Sequence, residues 1–120
     1  MLKKLLVLFT LMILSLTSLN AQENKMFQTV NPKDATLVKN DSTKTFCNVC
    51  GMHLTKFYKT SHATTFKNGH KEQYCSIHCQ SEIHTDHAEK IKTIQVVDTK
   101  SLKLIDANKA IYVVGSSKKG

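Results

Sequence analysis

Arginine is absent from this chain, proline occurs once, at Pro32, and acidic residues number only nine. Each scarcity closes off a class of function. Arginine is the usual residue for reading phosphates and bases through two parallel hydrogen bonds. A formal charge of +8 carried by scattered lysines, such as Lys56, Lys59, Lys67, Lys71, Lys90, Lys92 and Lys100, therefore reads as solubility, with no nucleic-acid partner. Carboxylates this few and this dispersed offer no catalytic pair, and no Ser-His-Asp grouping stands out, so no enzymatic activity is expected. There is no internal repeat and no low-complexity tract. No cysteine stands near residue 21, so a bacterial lipoprotein anchor has no attachment point.

What is present begins with an export signal. Met1-Leu2-Lys3-Lys4 is a basic start, Leu5 to Leu16 is almost free of polar residues, and Thr17-Ser18-Leu19-Asn20-Ala21 leads into a polar segment. The apolar run is shorter than the roughly 20 residues of a spanning helix, so cleavage after Ala21 and a periplasmic or cell-envelope location are expected. Leu19 is larger than is usual at its position. An uncleaved segment would instead tether the chain to the membrane. The 99 residues from 22 to 120 carry +6 and suffice for one small domain with a modest core.

Within that part, residues 22–45 are mostly polar and read as a linker or loosely packed arm. Phe46-Cys47-Asn48-Val49-Cys50-Gly51-Met52 is a compact turn in which Gly51 suits a knuckle that needs positive φ. Ser61 to Phe66 and His70 to Cys75 flank Lys67-Asn68-Gly69, a strong hairpin signal. Residues 76 to about 89 lack Gly and Pro and start with Ser76, an acceptable N-cap, so a helix fits, with Ile77, Ile83 and Ala88 as a thin apolar face. Ile94 to Val97, Leu102 to Ile105 and Ala110 to Val114 read as strands, divided by Asp98 and by Asp106 to Lys109. Knuckle, hairpin, helix and strands in that order make a small α+β domain.

The chemistry is concentrated in Cys47, Cys50, Cys75 and Cys79. In a small exported domain the ordinary fate of four thiols is two disulfides. Their spacing argues for metal. Two thiols three positions apart around a tight turn converge on one ion, and Cys75 and Cys79, four apart at a helix start, share a face. A knuckle and a helix start together complete a tetrahedral site, and the 24 residues between the pairs are what a hairpin needs to join them. A helix N-terminus also favours thiolates.

Met52, just beyond Gly51, and His78, beside Cys79, are candidate additions to that set. Thioether plus thiolate is a soft donor set suited to Cu(I), whereas Zn needs no methionine. The plainer readings are a flexible core filler for Met52 and a surface residue for His78. His84, Asp86 and His87 form a weaker polar cluster near the helix end, with His53, His62 and His70 in or near the hairpin. Covalent haem attachment is excluded by Gly51, which stands where histidine is required. A redox dithiol would open a helix within a βαβ pattern, whereas Cys47 and Cys50 precede a hairpin.

Cys47-Asn48-Val49-Cys50-Gly51-Met52 followed by Gln73-Tyr74-Cys75-Ser76-Ile77-His78-Cys79 resembles NosL-type accessory proteins of nitrous oxide reductase. It is also similar to small heavy-metal-binding treble-clef domains with a CxxCGM opening. Ile105-Asp106-Ala107 and Ala110 to Ser116 extend the similarity from residue 46 to about 119. The resemblance implies a ββαβ, treble-clef-like module with extra C-terminal strands. It also implies a non-enzymatic chaperone that delivers Cu(I) to an envelope cuproenzyme or a membrane assembly complex. Cys47, Cys50 and Met52 would carry the first motif, and Cys75 and Cys79 the second. NosL-type relatives continue into a second module, which is expected to be incomplete here because the chain stops at Lys118-Lys119-Gly120. The alternatives are a structural Zn knuckle that binds another protein, and a disulfide-stapled or dithiol redox domain.

Overall fold

The computed structural model describes residues 2–4, which are helical, and residues 26–113. The apolar run and junction of the expected signal segment lie outside the described residues. No helix among the described residues is long and apolar enough to cross a membrane.

The fold is α+β: residues 26–113 form a four-stranded antiparallel sheet and one α-helix. The strands are β1 (His62–Phe66), β2 (Lys71–Tyr74), β3 (Ile91–Val97) and β4 (Leu104–Asp106), in the order β2-β1-β3-β4. The helix, α1, spans Ile77–His87 between β2 and β3. β1 and β2 form the hairpin expected around Asn68-Gly69. Gly69 takes φ +87°, and the Asn68 side chain accepts from the His70 amide at 2.9 Å. These are the features that make Asn-Gly a tight-turn pair.

Pairing register decides what each face meets. Ala63 lies opposite Gln73 and Thr64 opposite Glu72, so successive residue pairs serve opposite faces. On one face Thr64 Oγ1 donates to Gln80 Oε1 of α1 at 2.7 Å. On the other, Gln73 is fully buried and holds an extended segment through its amide group. Its Oε1 accepts from Val38 N at 3.1 Å, and its Nε2 donates to Thr36 O at 3.3 Å. Tyr58, also fully buried, donates from its hydroxyl to Leu102 O at 2.8 Å and accepts from Thr36 N at 3.0 Å. Val30 N donates to Thr55 O, and Lys59 N to Gln28 O. Residues 28–39, which composition presents as a loose arm, are thus tied to the domain at several points.

The core is small. Cys47, Leu54, Tyr74, Cys75 and Cys79 form its buried cluster, with Leu37, Val49, Phe57 and Ile83 packed against it. Ser76 caps α1 as expected, its hydroxyl accepting from Cys79 N at 3.5 Å. The helix buries Cys79 and Gln80, while Ile77, expected on the apolar face, is exposed.

Two strand expectations change. The segment expected to run from Leu102 to Ile105 forms a strand only from Leu104, because Leu102 adopts φ +59° and bonds back to Asp98 O at 2.8 Å, closing the β3–β4 turn. Ala110 to Val113 form no strand. Asp106 caps a 3-10 turn over Ala107–Lys109, accepting from Asn108 N at 2.8 Å, and the turn takes the chain away from the short strand β4. Val114 lies outside the described residues.

Candidate metal centre

The first pair of thiols stands on a miniature hairpin. Leu54 N donates to Thr45 O at 2.8 Å, Cys47 N to Met52 O at 2.9 Å, and Gly51 N to Cys47 O at 2.9 Å. Phe46 and His53 face each other across this ladder, their rings edge-to-face at 5.3 Å. Gly51 sits at φ +74°, a left-handed conformation that a side chain makes costly. The local sequence thus bends the chain so that Cys47 and Cys50 lie on one turn.

The second pair stands where β2 runs into α1. Thr60 Oγ1 donates to Cys75 O at 2.8 Å and fixes the exit of the strand. Ser76 starts the helix, and a step of four residues brings Cys79 to the same side as Cys75.

All four sulfurs then lie within 4.8 Å of one another. Cys50 Sγ is 3.2 Å from Cys75 Sγ, and Cys75 Sγ is 3.8 Å from Cys79 Sγ. Four thiolates around a tetrahedral ion at about 2.3 Å would stand about 3.8 Å apart, so the quartet fits an ion with small adjustments. The four are free thiols in one cluster. Two disulfide staples would have no need to meet at one point.

The thiols are not equivalent. Cys47, Cys75 and Cys79 are buried and Cys50 is exposed. Burial pushes the Cys75 thiol well above its usual range, and hydrogen bonding with Cys50 adds to this. Burial likewise pushes Cys79 up to about 11. Cys47 goes the other way: burial opposes its ionisation, but the backbone N–H groups of Cys50, Cys75 and Val49 more than offset that and lower its pKa. The surroundings thus favour ionisation at Cys47 and oppose it at Cys75 and Cys79, where an arriving cation must displace protons.

Not every expected ligand joins the quartet. His78 points to solvent, with its side chain 79% exposed and Nε2 3.1 Å from Glu82 Oε1 one turn along. Its place one step before Cys79 rotates it off the buried face. Met52 completes the knuckle through its carbonyl and carries a half-exposed side chain. Among the described residues the cysteines are the one group of three or more His, Cys, Asp or Glu side chains close enough to share an ion, so His84, Asp86 and His87 are not drawn together. His53 bonds to Thr55 Oγ1 through Nδ1, His70 pairs with Glu72, and His62 is buried beneath Tyr112.

Composition gave no sign of Lys39. It is 3% exposed, with Nζ 2.6 Å from Asn48 Oδ1 and 3.4 Å from Phe46 O, both in the knuckle. The same Nζ lies 3.3 Å from Glu72 Oε2 of β2, a charge contact without hydrogen-bond geometry. Among many lysines, only the long-range pairing with Glu72 distinguishes this one.

The NosL family model matches residues 38–120, which includes every residue of the quartet. No curated protein and no solved structure matches the chain significantly.

Proposed function

The chain belongs to the NosL family, and from that premise we propose that it is an exported carrier that takes up one Cu(I) ion and hands it to a copper-receiving envelope protein or membrane assembly complex. Membership implies a copper-binding accessory role. The observation that supports the carrier reading is the convergence of four sulfurs of which Cys50 alone is exposed. Thiolates are soft donors that suit Cu(I). Cys47 supplies the first thiolate, and the buried Cys75 and Cys79 keep water from the inner side of the site. Cys50 is the sulfur that an acceptor's own thiolate, thioether or imidazole can displace first. Met52, half-exposed on the same knuckle, is a fifth soft donor for the ion in transit.

The test is a Cu(I) titration of the anaerobic, reduced protein against a chromophoric chelator, in wild type and in Met52→Ala. One equivalent bound tightly, and more weakly without Met52, is the expected result. No uptake against a moderate-affinity chelator would sink the copper reading.

A second reading, a structural Zn knuckle, draws on the fact that Cys47, Cys75 and Cys79 are themselves core residues. It predicts collapse of the fold on chelation and no response to Met52→Ala. A carrier must instead keep its fold when the cargo leaves.

A further inference from the structure

Lysine is almost never fully buried unless paired, because taking its charge out of water is costly. Lys39 is buried all the same, and its three neighbours come from the two segments that bear the thiols. Asn48 Oδ1 and Phe46 O flank Cys47. Glu72 Oε2 belongs to β2, which runs through Gln73 and Tyr74 into Cys75. Glu72 is held in turn, since its Oε1 lies 2.7 Å from His70 Nε2. A methionine could fill the same volume without the desolvation cost. It could not bridge two hydrogen-bond acceptors and a carboxylate.

We propose that Lys39 is a positioning residue for the metal centre, fixing the knuckle of Cys47 and Cys50 against the strand that delivers Cys75 and Cys79. The proposal deepens the carrier reading and rests on it for the identity of the ion. The clamp presets the gap between the two thiol pairs, so that the metal-free protein already holds the quartet together. Holding ligands in place through partners that do not touch the metal typically matters by about 10- to 100-fold in affinity.

The informative variant is Asn48→Ala. Asn48 is exposed, so its truncation removes the shorter of the two contacts Lys39 makes to the knuckle, leaving the longer one to Phe46 O, the Lys39–Glu72 pair and the core intact. Lys39→Met removes the whole clamp and is compared beside it. In the reduced, metal-free protein, amide hydrogen exchange is followed at Cys47 and Gly51, whose N–H groups close the knuckle. Exchange there should accelerate about tenfold or more in Asn48→Ala, the loss expected for one hydrogen bond to a charged group, with a melting temperature lower by several degrees for the same loss, while amides of β1 and β3 that exchange with the knuckle closed stay as in wild type. Cu(I) affinity by chelator competition should fall about 10- to 100-fold.

Wild-type exchange at Cys47 and Gly51 in both Asn48→Ala and Lys39→Met would overturn the proposal. So would a loss of protection spread evenly over the sheet, which would make the contact a general stabiliser. If wild type takes up no Cu(I), the carrier reading fails, and the exchange data still decide whether Lys39 holds the knuckle.

Discussion

At the scale of single residues, side chains that no local pattern singles out carry much of the order. Tyr58 joins three stretches of chain through one hydroxyl, and Tyr58→Phe would leave the Thr36 amide and the Leu102 carbonyl without that partner. The expected cost is about 1 to 3 kcal/mol, read as a lower denaturant midpoint with an unchanged fold. His62 sets a pH response. Burial holds its pKa below the ordinary 6.5, a shift that Thr60 O, accepting from Nδ1, only partly offsets. The unfolded chain therefore binds the proton more readily than the folded one. Stability is full above about pH 6.5 and is lost as pH falls toward the lower folded value. The depressed carboxyls of Asp41 and Asp98 act in the same direction only below about pH 3.8, so the windows separate. Urea midpoints of the reduced, metal-free protein at pH 7.5 and pH 5 should differ, and His62→Gln should narrow the difference. An unchanged gap would remove His62 as the cause.

At the scale of elements, the two left-handed glycines make a matched pair. Neither position has an atom within 4 Å of where a Cβ would stand, so alanine at either site meets only backbone strain, about 1 to 2 kcal/mol. Gly69→Ala strains the hairpin turn and should lower stability alone. Gly51→Ala strains the knuckle and should lower Cu(I) affinity as well. Equal affinities in the two variants would mean that the knuckle's shape does not govern binding. Elements whose cause is local were the legible ones: Asn68-Gly69 between two β-prone runs, Ser76 before a run without Gly or Pro, and two cysteine pairs at turn and helix spacing. Where the cause is distant, local reading fails. Ala110 to Val113 have good strand composition, yet the cap at Asp106 turns the chain away first. His78 follows from the phase of α1, which could be settled only once Cys79 was known to face inward.

At the scale of the whole molecule, the domain starts earlier than its motifs. Composition placed the boundary at residue 46, but the hydrogen bonds at Val30, Thr36 and Val38 and the buried Lys39 draw the preceding residues into the folded unit. These contacts are long-range and polar, so no apolar periodicity announces them. A fragment starting at residue 46 should give a poorly dispersed NMR spectrum, whereas one starting at residue 26 should give a dispersed one. Two equally dispersed spectra would show the segment to be dispensable. The uneven covering of the quartet has a kinetic consequence. An ion bound there has two exits with different barriers. Escape into water requires the sulfurs of Cys47, Cys75 and Cys79 to open from within the core, a local unfolding step. Under the proposed carrier role, transfer to an acceptor would begin with displacement of Cys50 at the surface and grow faster with acceptor concentration. The lifetime of the bound ion in buffer would then say little about the speed of delivery, and a protein that scarcely leaks its cargo could still surrender it within the lifetime of an encounter.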